Sequence, residues 1–370
     1  MGRLWQRLAA RGGYPIGLHI GMDRVTLVQM QPQGRGPAIR AAASISYGCP
    51  RSELLADRQR LNLLIKRALA DHPFRGKRVV SCMPNDQLKM MVLSFSPAKD
   101  ESDADALVRE LRSRLRSDLE GKIIDFVPVR QPEFQSLPHE AIVAMAERDQ
   151  VTAYLDLLSA CGLQVEALEV GLVALARVVS SIGADNKGEI PNLLLITFGT
   201  RSSYLTVVWG RRLLLDRVVD FAEHQLVSRL CTVLGMSEAA AKELLLERGF
   251  AGGGRSGDNG EVERMLKDVL RPGLAALKSE VNKTLSYTAS KTRGRIVDKI
   301  YVTGSLARYP GIEGFLGEHF TLPVEVLNPS SIFPRSLKGR EMEHLWLHSG
   351  VVAATGLALR GVPQQWLAST

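Results

Sequence analysis

The chain has 370 residues, 45% of them hydrophobic and 6% aromatic, and its 47 basic against 39 acidic residues give a net charge of +8. That composition is ordinary for a globular protein of two or more lobes, and no apolar run is long enough to span a bilayer. The positive charge is scattered arginine with few aromatics, which argues against nucleic acid and suits an acidic partner or an anionic membrane surface. The start, MGRLWQRLAARGGYP, lacks the apolar core of a secretory signal. Arg3, Arg7 and Arg11 beside Leu4, Trp5 and Leu8 would suit an interfacial anchor, but a frayed basic end is the simpler reading. Cys49, Cys82, Cys161 and Cys231 show no paired spacing and read as free thiols.

In chain order, 15–21 and 24–30 read as strands around a glycine turn, and 38–47 as a third strand completing a meander. Residues 51–71 carry Leu54, Leu61, Ile65 and Leu69 at helical spacing and predict one helix. RVVSCMP is a short strand ended by Pro84. From 85 the character changes: LKMMVLSF (strand), a charged helix over 101–118, KIIDFVPV (strand), the loop RQPEFQSLP and EAIVAMA (strand). A helix over 148–161 stops at Gly162, then VEALEV (strand), LVALARVVSSIG (helix) and the linker ADNKGEIPN follow. NLLLITFGTRSSYLTVVWGRRLLLDRVV then repeats the opening meander. Helices over 222–235 and 237–248, the loop GFAGGGRSGDNGE, a helix over 261–289, the strand RIVDKIYVTGS, PVEVLNP and a helix over 349–360 complete the chain.

The repeat carries the argument. IGLHIGMDRVTLV and LLLITFGTRSSYLTVV are both strand, glycine turn, strand, and each opens one half of the chain. His19 and Thr197 hold equivalent places, two residues before Gly21 and Gly199. A duplicated meander followed by helices predicts two similar α/β lobes around a cleft. Glycine turns facing each other there would cradle a polyphosphate with backbone N–H groups, since a Cβ would block close approach. YVTGSLARYPGIEGFL supplies a third turn, placed to meet a base or ribose. Each turn alone reads as a plain connection; the three together favour the cleft. GFAGGGRSGDNGE lacks the GK[ST] of a P-loop. His344 and His348 are one helical turn apart but have no third ligand, and no GxSxG elbow occurs.

In order and spacing, YPIGLHIGMDRVTLVQM, AMAERDQVTAYLDLLSACGLQVEALEVGLVALARVV, LGMSEAAAKELLLERG, RIVDKIYVTGSLARYPGIEGFLGEHFTLPVEVLNP and SGVVAATGLALRGV resemble segments of the PilM family. These are the actin-like proteins of type IV pilus assembly, related to the cell-division protein FtsA. The resemblance implies an actin-like ATPase fold: duplicated RNase H-like lobes around a cleft, with an inserted small α+β subdomain. It implies a first lobe over 1–84, completed by 172–190 and 349–361, an insertion over 85–171, and a second lobe over 191–348. It implies an ATP and Mg²⁺ cleft at Gly21, Met22, Gly199, Thr200, Glu243, Gly304 and Ser305, with no catalytic residue and no protein metal site assigned.

The family's implied role is a cytoplasmic scaffold, peripheral at the inner membrane. It binds the N-terminal peptide of a PilN-like membrane protein between first lobe and insertion, and links the alignment complex to the pilus motor ATPases. An ATP-binding switch of that machinery, or a module of a type II secretion or mannose-sensitive pilus system, are the alternatives. Arg78 and Lys89 flank the expected groove.

The sequence departs from the family where its chemistry would sit. His19 and Thr197 stand where aspartates are usual, Thr26 where the first hairpin has lysine, and Leu246 where a partner of Glu243 is expected. Ser305 and Leu306 replace a glycine run. Neutral imidazole is a poor ligand for hard Mg²⁺, and Asp23 lies at the wrong offset to substitute, while Asp216 and Asp220 follow the second hairpin. The expectation is a degenerate cleft with nucleotide binding weak or lost and hydrolysis absent or very slow.

Overall fold

A computed structural model describes residues 13–362 apart from 35, 116–118, 131–137, 184–189, 211, 251–258, 336–343 and 349. The arginine-rich start and most of the loops RQPEFQSLP, ADNKGEIPN and GFAGGGRSGDNGE lie outside the described residues.

Strands β1 (Ile16–Ile20), β2 (Arg24–Gln33) and β3 (Gly36–Ser46) form the expected antiparallel meander. The single helix expected over 51–71 is two, α1 (Arg51–Ala56) and α2 (Arg58–Asp71). Asp57 breaks it: its Oδ1 accepts the Arg60 amide at 2.9 Å and caps α2, an arrangement that competes with continuing the helix. β4 (Arg78–Cys82) joins parallel to β1.

Then β5 (Lys89–Phe95), α3 (Asp103–Leu115), β6 (Lys122–Arg130) and β7 (His139–Glu147) form a unit apart, its three antiparallel strands ordered β5-β7-β6. Leu93, Phe95, Leu107, Leu111 and Val143 are its small core. The chain returns earlier than the expected 85–171 insertion implies. After α4 (Arg148–Ala160), β8 (Gln164–Glu169) pairs parallel with β4, and Val151, Tyr154 and Leu158 of α4 pack in the first sheet's core. An apolar helical face shows that something covers it, not which sheet does.

Helix α5 (Gly171–Ser180) leads to the second half: β9 (Leu193–Phe198), β10 (Ser203–Trp209), β11 (Arg212–Val219), α6 (Glu223–Leu234), α7 (Glu238–Glu247), α8 (Asn259–Lys291), β12 (Lys299–Gly304), α9 (Ile312–Gly317), β13 (Val324–Val326) and α10 (Pro329–Ile332). Helix α11 (Val351–Ala358) is the last described. The two five-stranded sheets run β3-β2-β1-β4-β8 and β11-β10-β9-β12-β13, with the same succession of antiparallel, antiparallel, parallel and parallel pairs. The sequence repeat is therefore a repeat of topology.

The halves share a core. Val28 and Ile39 of the first sheet, Leu195 and Leu213 of the second, Val178 of α5 and Val351 and Ala354 of α11 belong to one buried cluster. Helices α5 and α11 lie between the halves in van der Waals contact of their backbones: a Cβ on Gly356 would stand 1.9 Å from the Ala174 carbonyl oxygen. The cysteines are unpaired, as their spacing suggested.

Candidate functional site

The three glycine turns lie at the same ends of β1, β9 and β12. Their glycines answer to the chain itself. A Cβ on Gly199 would stand 2.2 Å from the Ser202 carbonyl oxygen, and one on Gly304, whose φ is +92°, would stand 2.0 Å from the Phe198 carbonyl oxygen. The close backbone approach that the sequence suggested is thus within the turn itself at Gly199 and between β12 and β9 at Gly304, and glycine at these two turns is no evidence of a phosphate.

In the second half the turns meet directly. The Ser305 amide donates to Phe198 O at 2.8 Å and its hydroxyl to Gly199 O at 3.2 Å. The first amides of α6 also donate to the second turn, Glu223 N to Gly199 O and His224 N to Thr200 O, both at 3.1 Å. Gly21 is held by its own hairpin, its amide donating to Arg24 O at 2.9 Å and its carbonyl accepting Tyr47 OH at 2.6 Å. Met22 is exposed at the tip. Glu243 is exposed on α7, whose end joins the third turn through Phe250 N to Pro310 O at 2.6 Å.

The electrostatics centre on His19, which the sequence singled out, and on Arg51, Arg24, Glu223 and Arg308, which it did not. His19 Nδ1 is enclosed with no hydrogen-bond partner among the described residues. Burial, aided by the Arg51 charge, pushes the imidazole down to about 4, so it is neutral at physiological pH. Gly350, with φ +96° at the start of α11, makes room for that ring: a Cβ there would stand 2.6 Å from Nδ1. Arg51 pairs with Asp86 at 2.5 Å. Arg24 donates to Ser44 Oγ at 2.8 Å and Ser44 O at 2.7 Å. Burial lowers the Arg24 pKa, Asp23 opposes that, and the charge of Arg308 from the second half adds to the lowering. Arg308 Nη2 and Tyr309 OH donate to the buried Glu223 carboxylate at 2.8 and 2.5 Å. Only Arg24 had a local signal, its place just after the first turn.

The donor set does not fit Mg²⁺, which takes oxygen ligands, above all carboxylates. His19 offers a neutral ring nitrogen, Thr197 a hydroxyl, Asp23 is exposed at the hairpin tip, and Glu223 is engaged by Arg308 and Tyr309. No group of three or more His, Cys, Asp or Glu able to hold a metal occurs among the described residues, His348 included.

Asp216 accepts Thr206 Oγ1 at 2.6 Å within the sheet, and burial pushes its carboxyl up to about 6. Because the folded state binds this proton more tightly than the unfolded one, stability falls as pH rises from about 4 to about 6. Asp216→Asn keeps the acceptor without the charge. Urea unfolding at pH 7.5 should show it more stable than wild type by about 3 kcal/mol, a gain that vanishes below pH 4.

Away from these turns, a groove of about 440 Å³ opens where three parts of the chain meet. Val127, Pro128 and Val129 of β6 form one wall, Val173 and Ala176 of α5 the floor, and Leu213 of β11 the third side, with Arg177 and Arg212 among its lining. Arg177 is held by Glu169, at 3.0 and 2.9 Å, and donates to Gly356 O at 2.6 Å; Arg212 is exposed. Arg78 and Lys89 do not line this groove. Arg78 donates to Glu166 and to Gly13 O, and Lys89 is exposed at the start of β5.

A family model described as type IV pilus assembly protein PilM matches residues 17–362. Among solved structures, the chain is similar to one of a PilM–PilN type IV pilus biogenesis complex, with TM-score 0.68 and 21% identity over 95% of this chain and 99% of that one. It is also similar to ethanolamine utilization protein EutJ from Carboxydothermus hydrogenoformans, with TM-score 0.50 and 14% identity over 94% and 89%. No curated protein sequence matches it. The fold is that of the actin-like ATPases, and no helix among the described residues is long and apolar enough to cross a membrane.

Proposed function

We propose that this chain, which belongs to the PilM family of type IV pilus assembly proteins, is a scaffold that holds the N-terminal peptide of a PilN-like membrane protein. The groove between β6, α5 and β11 carries this reading: its walls are aliphatic, its arginines suit an acidic or carboxylate-bearing segment, and β6 is an edge strand with backbone groups to offer. The PilM–PilN complex among the similar structures supports the class of partner.

On this reading the protein sits on the cytoplasmic side of the inner membrane through its partner and joins the alignment complex to the motor ATPases. Residues 1–84, with 172–190 and 349–361, form the first lobe and 191–348 the second. The insertion begins at 85 and gives way to first-lobe structure by about 148. Gly21, Met22, Gly199, Thr200, Glu243, Gly304 and Ser305 border a cleft that does not hydrolyse ATP, because among the described residues no carboxylate is placed to position metal or water. Cell fractionation tests the placement. The chain should sediment with membranes when the partner carries its cytoplasmic segment and stay in the supernatant when that segment is deleted. Membrane association that survives the deletion would refute the proposal.

A further inference from the structure

We infer that the groove between β6, α5 and β11 recognises a carboxylate of the partner segment through Arg177, and that Arg360, outside the groove, keeps Arg177 available by sharing its counter-ion; this rests on the peptide reading and deepens it. The counter-ion is Glu169, at the end of β8. Arg177 of α5 grips both of its oxygens, Nη1 to Oε2 at 3.0 Å and Nη2 to Oε1 at 2.9 Å. Arg360, in the turn after α11, donates from Nη1 to the same Oε1. One carboxylate therefore serves two guanidiniums, and one positive charge is left over.

Little water is there to hydrate that charge. The side chains of Glu169 and Arg177 are 4% and 19% exposed, and an uncompensated charge in such surroundings is unfavourable. Nothing in the groove cancels it: its charged lining residues are Arg177 and Arg212, and no carboxylate lines it among the described residues. Arg177 also has donors left. Of its five N–H groups, two go to Glu169 and one to Gly356 O, so Nε and one hydrogen of Nη2 have no partner among the described residues. A carboxylate arriving in the groove would complete an alternating set of two guanidiniums and two carboxylates. Without Arg360, Arg177 and Glu169 would form a neutral bidentate pair, and Glu169 would repel the newcomer. Arg360 does not line the groove and is half-exposed, so it acts as a positioning residue through Glu169.

Two labelled peptides test this by fluorescence anisotropy with the full chain. One is the N-terminal segment of the PilN-like partner as it stands; the other is the same segment with every Asp and Glu changed to Asn and Gln. The wild-type chain should bind the acidic form at least about tenfold more tightly than the amide form. In Arg360→Gln that difference should fall below about threefold, while the amide form binds as it does to wild type, which also shows that the variant is folded. Arg360→Lys should recover part of the difference. A loss of structure alone would weaken both peptides together. A partner segment with no acidic residue, equal wild-type affinity for the two forms, or an undiminished difference in Arg360→Gln would overturn the inference and leave the peptide reading standing. No binding of either form to the wild-type chain would overturn both.

Discussion

Gly356→Ala is expected to destabilise the protein by more than about 3 kcal/mol, a large part of the 5–15 kcal/mol typical of a folded domain. The added Cβ would stand 1.9 Å from the Ala174 carbonyl oxygen and 2.9 Å from its Cα, so the obstacle is backbone and no rotamer change relieves it. Helix α11 would have to move away from α5. It cannot do so freely, because on its other side Gly17 of β1 packs on α11, where a Cβ would be 1.9 Å from Ala354 O. A shift would also break the bond from Arg177 to Gly356 O and disturb the Glu169 pair beneath the groove. In a well-packed interior such strain is not absorbed by compression. Gly314→Ala is the contrast: its Cβ meets nothing within 4 Å and it lies in α9, so the same change should stabilise by about 0.5–1 kcal/mol. Urea unfolding of both variants beside wild type gives the comparison; similar midpoints would mean that the helices are not packed this closely.

Val129→Trp is expected to weaken binding of the partner peptide at least about thirtyfold, near 2 kcal/mol, while leaving the unfolding midpoint almost unchanged. Val129 is partly buried on the edge strand β6, packs against the rim of the shared core and lines the groove, so an indole there would fill the groove's space. Arg212→Glu tests the charge of the same surface. Arg212 is exposed, and its reversal should cost about tenfold at low salt and less at high salt, as expected of a screened rim charge. Peptide binding that survives both changes would move the partner to another surface.

The sequence carried the topology further than the contacts. Both meanders, most later strands as strands, and most helices were legible because period-2 and period-3.6 patterns are local. The division between α1 and α2 depends on one side-chain cap at Asp57, which the run of leucines over 51–71 hides. The destination of α4 and β8 was illegible for another reason: their apolar faces fit either sheet. At the cleft, Gly199 and Gly304 were found as turns, but the atoms that require glycine there are Ser202 O and Phe198 O of the chain. The ion pair of Glu223 with Arg308 joins residues far apart in sequence, and no local pattern announces it. Arg78 shows the converse. It was placed by sequence beside the expected groove and is tied instead to Glu166 and Gly13 O.

The most direct measurement is a fluorescence anisotropy titration of the labelled N-terminal peptide of the PilN-like partner with the purified chain, in EDTA and again in Mg-ATP. The account predicts saturable binding of equal affinity in both conditions, competed by unlabelled peptide. No binding, or binding only with Mg-ATP, would contradict it, the first by removing the partner and the second by making the chain a nucleotide-gated switch.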